Sequence, residues 1–397
     1  MRMNDTASPA PRVPSLTHEE ADHSLRVQER LMSAMAAGGG WLSFEDYMDI
    51  ALYAPGLGYY SAGARKFGAN GDFTTAPEVS ELFGACVANQ CAEVLGALGR
   101  ASIIEIGAGS GRLAVDVLKR LQALGRLPDR YAILEVSADL RARQRELLQS
   151  LPQEISARVE WLDAPPKGVR GIILANEVLD ALPVKRFRLD GAHFLELGVE
   201  SSAGHFMWAE RPADAAVERE CRRLALASRP WGEAYTSEYC PRLAPWTGAV
   251  TSGLDCGAVF WFDYGLPRDQ YYLPERSDGT LLCHFRHRTA TDPFRYPGLQ
   301  DISAWVDFTA LAEAGRDAGF AVAGFTTQTY FLAGLGIDLM MQSIAGGDPQ
   351  RAALLAGQAR RLTMPGEMGE RFKAMAWLRG VDPSLSGFAL RDLRHTL

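Results

Sequence analysis

Three glycines in "EIGAGSG" (Glu105 to Gly111) stand between a short apolar run and an amphipathic one. Glycine lets a backbone turn tightly and come close to a ligand at a helix N-terminus. This makes Glu105, Gly107, Ala108, Gly109 and Gly111 candidate ligand contacts. Glu135 ends the next apolar run, 24 residues beyond Gly111, where a carboxylate can accept from both hydroxyls of a ribose. Val136 follows it, and Asp163 ends the third run. A second set of acids lies further on: Glu177 and Asp180 beside Asn176 in "ANEVLDALP", and Asp263 beside Tyr264 in "FDYG". Carboxylates gathered at strand ends suit a cationic partner, which they can bind, orient and relieve of a proton.

The glycine spacing narrows the ligand. A dinucleotide fingerprint needs glycine at position 112, where Arg112 stands, so a pyrophosphate, and with it a dehydrogenase, is disfavoured. Acid-x-Gly-x-Gly-x-Gly instead suits S-adenosylmethionine (SAM), whose nucleoside has no phosphate to cradle. On this reading Glu135 holds the ribose and Asp163 the adenine amino group.

These residues need a sheet to bring them together. "SIIEIGAG", "YAILEVS", "VEWLDA" and "GIILANEVLDALP" read as strands, the first two followed by the helices "RLAVDVLKRLQALG" and "ADLRARQRELLQSL". Short apolar runs alternating with helices predict an α/β fold, a doubly wound and mostly parallel sheet covered on both faces. "GAVFWFDYG" resumes the buried-strand pattern. Between them, "RFRLDGAHFLELGVESSAGHFMWAE" alternates with period two around an Asp-Gly turn and predicts an antiparallel meander. Ahead of the sheet, helices are expected from Thr17 to Ala37 and from Ser43, with a further one over "EVSELFGACVANQCAEVLGALG". The boundaries expected are a disordered tail at 1–14, an N-terminal helical and lid segment at 15–100, a Rossmann-like core at 101–190 and 251–290, an insertion at 191–250, and a mostly helical region at 291–397. "GFALRDL" reads as a closing strand.

Over 397 residues, 47% are apolar and the net charge is −7, as in an ordinary globular protein with no general affinity for nucleic acid or anionic membrane. The six cysteines have neither CxxC nor zinc-like spacing, so no metal is expected. The N-terminus lacks the apolar core of a secretory signal, and no run is long and apolar enough to span a membrane. A bacterial cytoplasmic protein is expected, with the mitochondrial matrix as its place only in a eukaryote. A homodimer is compatible with the sequence.

From "NEVLDALPV" onward the motifs become specific. With "GYYS", "GDFTTAPEVSELFG", "EIGAGSGRLAVDVL", "FDYG", "DGTLLCHFRH", "DISAWVDFTAL" and "MPGEMGERFKAM", in that order, the chain resembles the MidA family of SAM-dependent methyltransferases. The resemblance covers most of the chain from about residue 45 and implies a Rossmann-like methyltransferase fold with SAM as cofactor. It implies further that "GDFTTAPEVSELFG" folds over the cofactor, with Thr75, Pro77 and Glu78 beside its methionine end. It also implies protein arginine N-methylation of a respiratory complex I quinone-pocket subunit during assembly. A guanidinium is protonated at any working pH, so carboxylates must orient it and accept its proton. Glu177 is the first candidate for that work, with Asp180 and Asp263 behind it. Glu238, Tyr264 and His287 are candidate substrate contacts; Asp301 matches a family motif with no role attached. Two rival readings are methylation of a small-molecule acceptor, with the insertion shaping the pocket, and an assembly chaperone without catalysis.

Overall fold

The computed structural model describes residues 16–62, 74–191, 193–224, 234–286 and 288–397; the expected tail at 1–14 lies outside them. An eight-stranded sheet runs Ala321–Thr327, Phe372–Arg379, Leu254–Leu266, Val169–Asn176, Ser102–Ile106, Arg130–Leu134, Val159–Leu162, with Val306–Asp307 paired beside Leu254–Leu266. From Leu254–Leu266 to Val159–Leu162 the neighbours are parallel. Phe372–Arg379 is antiparallel to both of its neighbours.

The strands read as continuous apolar runs because both faces are covered. Successive side chains point to opposite faces. Ile103, Ile133, Ile172 and Phe260 pack with Leu82 and Leu113 of two helices, whereas Ile104, Ile173, Val259 and Trp261 pack with Leu243 and Leu311 of two others. The expected doubly wound sheet is therefore present. Ser102–Ile106 has Arg130–Leu134 on one side and Val169–Asn176 on the other, so the crossovers diverge there. Such a switch point opens a crevice beyond the carboxyl ends of the strands.

A second, five-stranded antiparallel sheet carries the expected meander, Lys185–Asp190, His193–Ser202 and His205–Pro212, joined by Ala234–Tyr239. Gly191 turns the first hairpin at φ 58°. This sheet begins at Lys185 and also recruits Leu42–Ser43, which pairs with His193–Ser202 through Leu42↔Val199. Both N-terminal helices form as read. His18–Ala37 starts in a capping box of Thr17 and Glu20, and Phe44–Tyr53 starts at Ser43, whose hydroxyl accepts from Asp46 N–H.

Three expectations change. The helix over "EVSELFG…" is two, Ala76–Val79 and Glu81–Leu98, because Ser80 is extended (φ −164°, ψ 142°) and its hydroxyl caps Leu82 N–H. "FKAMAWLR", read within a helical region, is the buried strand Phe372–Arg379. "GFALRDL" supplies a short helical turn, Ser386–Ala389, instead of a closing strand; Phe388 packs on Phe331.

Candidate active site

Beyond Ile106 the backbone turns through left-handed conformations at Gly107 (φ 65°), Gly109 (φ 53°) and Gly111 (φ 86°), which only glycine adopts at little cost. A Cβ on Gly107 would sit 2.8 Å from Val178 Cγ1. Glu105, Gly107, Ala108 and Gly109 line a cavity of about 380 Å³ at the switch point, within the range of small-ligand sites. Gly111 does not line it. It is the N-cap of Arg112–Ala123, with its carbonyl accepting from Val115 N–H at 3.2 Å.

One end of the cavity suits a nucleoside. Glu135 accepts from Ser137 N–H at 2.9 Å and from Gln144 Nε2 at 3.2 Å. Gln144 is itself held by Gly109 O and Trp161 Nε1, both at 2.9 Å, so the acid is fixed against the glycine loop. Beside it the apolar Val136 is 84% exposed, a surface on which a planar ring can rest. Buried Glu105 takes the Tyr131 hydroxyl at 2.7 Å, and burial pushes its pKa to about 7. Asp163 corrects the expectation for the adenine amino group. It points to solvent, pairs with Arg141 at 2.6 Å and is not among the cavity-lining residues. The left-handed glycines, the anchored acid, the uncovered valine and the cavity volume together fit SAM.

At the other end, Thr75, Pro77 and Glu78 line the cavity; Gly71–Phe73 of the expected lid lie outside the described residues. Ala76 N–H donates to Glu177 Oε1 at 3.1 Å, and the Ser110 hydroxyl donates to Glu78. The segment is thereby tied to both walls. Glu177 is half-buried and sits at φ 53°, a strained conformation for a residue with a side chain and one that gathers at functional sites. Asn176 Nδ2 donates to the same Oε1 at 3.1 Å, so Oε2 has no donor among the described residues. Burial first, and then Asp180, push the Glu177 pKa to about 8, against the Ala76 and Asn176 hydrogen bonds.

The remaining candidates stand behind this wall. Asp180 is buried, pushed by burial to about 6 while the Tyr264 hydroxyl holds it down. It and Tyr264 sit outside the cavity lining, so Tyr264 positions Asp180 instead of touching a ligand. Asp263 is fully buried and accepts from the N–H groups of Leu179 (2.9 Å), Asp180 (3.3 Å) and Tyr264 (2.9 Å). It clamps the turn that presents Glu177 and is not a ligand contact. Asp263→Ala should leave three backbone donors unpaired and lower the unfolding free energy by about 2 kcal/mol, read by urea titration. Glu238 is also corrected. Away from the cavity, its Oε1 takes Thr280 N–H and Oγ1 (both 2.7 Å) and the Tyr271 hydroxyl (3.0 Å). His287 lies outside the described residues. Sequence reasoning missed Tyr53, Tyr60, Arg242 and Trp246, which also line the cavity; the paired tyrosines of "GYYS" were the available signal for Tyr60.

A doubly wound sheet whose switch point joins a glycine turn, a ribose-type acid and a second, strained acid defines a SAM-dependent methyltransferase. Residues 86–326 match the family profile described as S-adenosyl-L-methionine-dependent methyltransferase. A COG1565 superfamily member from Burkholderia thailandensis, solved with S-adenosyl-homocysteine bound, superposes with a TM-score of 0.93 at 42% identity, covering 97% of this chain and all of that one. The mitochondrial protein arginine methyltransferase NDUFAF7 is 28% identical in Danio rerio, over 87% of this chain and 85% of its own length. In Homo sapiens the identity is also 28%, over 91% and 85%. The chain belongs to the MidA family of SAM-dependent methyltransferases.

Proposed function

We propose that the chain is a protein arginine N-methyltransferase. The observation that carries this reading is Glu177. It is strained, half-buried and held through one oxygen only, and it offers the other to the cavity with a pKa raised to about 8. A carboxylate so placed gains little from a neutral acceptor. A guanidinium restores its ionisation, because an opposite charge within about 4–6 Å favours the charged form.

When bound, SAM supplies an electrophilic methyl group. Glu135 would accept from the ribose hydroxyls and Val136 would support the base, while the segment at Thr75–Glu78 would help to exclude water. Glu177 binds the guanidinium, localises one nitrogen lone pair and takes the proton that this nitrogen gives up. Asp180 raises the proton affinity of Glu177, and Asp263 keeps the turn in place. The similarity to NDUFAF7 supports an arginine of another protein as acceptor, and the MidA resemblance extends this to a complex I subunit during assembly. No helix among the described residues is long and apolar enough to cross a membrane, and a bacterial cytoplasmic setting is the reading that the Burkholderia likeness supports.

The test is incubation of the purified protein with methyl-labelled SAM and a glycine–arginine-repeat peptide, followed by acid hydrolysis and mass spectrometry. Label is expected in methylarginine. Label that appears only in small molecules of an added lysate would overturn the arginine reading in favour of a small-molecule acceptor.

A further inference from the structure

Among the described residues, the cations that line the cavity are Arg112 and Arg242. Arg242 is shared between Glu45 and Asp49. Arg112 has one acid, Asp116, which takes its Nε at 3.1 Å; its two terminal nitrogens have no acceptor among the described residues. Asp116 is buried and packs so tightly on the helix Glu81–Leu98 that a Cβ on Gly84 would lie 2.5 Å from Asp116 Cβ. The pair, one helical turn apart, therefore holds the guanidinium on that side of the glycine turn. Gly111 faces the other way, towards the ribose-type acid: a Cβ there would meet Gln144 Cγ at 3.3 Å, and Gln144 donates to Glu135. Glu78 reaches the same side as Arg112. Its Oε1 takes the Ser110 hydroxyl, and the Ser110 oxygen accepts from Arg112 N–H at 3.3 Å. Pro77, Glu78 and Arg112 also border a groove beside the helix Pro349–Thr363, so they form the wall between it and the cavity. Burial pushes Asp116 up to about 6 against the pull of Arg112, and at pH 8 it is ionised.

We propose that Arg112 binds the α-carboxylate of SAM, with Glu78 beside it for the α-ammonium, and that Asp116 is the positioning residue that aims the guanidinium. With the ribose assigned to Glu135, the base to Val136 and the methyl to the Glu177 end, the amino-acid tail is the part of the cofactor left without a partner. That tail is a zwitterion. A guanidinium bonded through Nε keeps its end-on pair of terminal nitrogens, which match the two oxygens of a carboxylate. Glu78 alone would repel the carboxylate; Arg112 and Glu78 together match both charges. The position at which the chain departs from the dinucleotide fingerprint thus carries a recognition element for the cofactor in use. The inference concerns the cofactor end and holds whatever the methyl acceptor is.

The probe is decarboxylated SAM, which keeps the sulfonium and the amine and lacks the carboxylate alone. The full-length protein is titrated calorimetrically at pH 8 with SAM and with this analogue. Wild type is expected to prefer SAM by about 30-fold, the scale of a bidentate charge-assisted pair. Arg112→Gln should lose about 30-fold in SAM affinity and little in affinity for the analogue, so that the preference falls close to one. Arg112→Lys keeps a charge without the fork and should fall between the two. Asp116→Asn leaves Arg112 in place but untethered, and ordering a free arginine on binding should cost SAM about fivefold, with the analogue unaffected. A merely structural role for the pair would weaken both ligands alike. A preference for SAM that stays at the wild-type value in Arg112→Gln and Arg112→Lys, whether or not both ligands weaken together, would overturn the assignment. So would a wild-type protein that binds the two ligands equally.

Discussion

Glu177→Gln should lower kcat about a thousandfold, the scale of a lost general base, while SAM binding stays within about threefold of wild type. Glutamine keeps the shape and can still meet the Ala76 N–H through its carbonyl, so the turn should survive. It cannot take a proton, and it offers a guanidinium one neutral acceptor in place of a charge. The measurement is single-turnover methylation of an arginine peptide alongside calorimetric titration with SAM. Full turnover in the variant would remove Glu177 from the chemistry. In the wild-type protein kcat/KM should rise with pH up to about 8, where Glu177 ionises in the free enzyme, and the kcat profile should break at lower pH because the bound cation favours ionisation.

Stability should respond in the opposite sense to activity. The folded pKa of about 8 lies above the ordinary 4.5. Between those values the native state keeps a proton that the unfolded chain gives up, and stability falls as pH rises through the window. Glu177→Gln removes that loss. Its unfolding free energy, read by urea titration, should match wild type near pH 4 and exceed it near pH 9 by about 1 kcal/mol, since the partly exposed carboxyl is screened by solvent.

Glu135→Ala should weaken SAM about 30- to 100-fold. Two charge-assisted hydrogen bonds to ribose hydroxyls are lost, on the order of 2–3 kcal/mol together. The cofactor-induced rise in melting temperature should shrink in proportion, because that rise scales with RT ln(1 + [L]/Kd). Ser137 N–H and Gln144 also lose their acceptor, so the melting temperature without cofactor should drop slightly. A variant that bound SAM as tightly as wild type would place the ribose elsewhere. NAD should stay inert, because Arg112 stands where the pyrophosphate-binding turn needs glycine.

The parts of the site that were legible in the sequence are those set by short spacing. The glycine turn, Glu135 and Glu177 each follow a parallel strand directly, and the end of such a strand fixes where its next residue stands. Side-chain direction is not fixed in this way. Asp163 also follows a strand, yet Arg141 on the neighbouring helix draws it outward. Asp263 lies near the end of Leu254–Leu266, on the correct edge, but turns inward to three backbone N–H groups, a demand that backbone donors make without marking the sequence. Tyr53, Tyr60 and Arg242 reach the cavity from elements far from 177 in the chain, and no local period reports such a meeting. Arg242 is held there by Glu45, at 2.7 Å, and by Asp49, two acids on a helix that also belongs to another region of the sequence. "FKAMAWLR" was misread because a strand buried on both faces shows no alternation, and its alanine, methionine and leucine favour helices just as well.

The place of that strand has a consequence for how the protein is made. Phe372–Arg379 fills the gap between Leu254–Leu266 and Ala321–Thr327, so its two flanking neighbours leave the ribosome long before it does. At ordinary synthesis rates the wait after Leu266 is on the order of ten seconds, during which Trp261 and Phe325 lack their final cover and two strand edges stand unpaired. Such edges invite pairing with other chains. The nascent polypeptide therefore passes through a half-built state that a cell must shield until Phe372–Arg379 has emerged, even though the cofactor end of the sheet was complete much earlier.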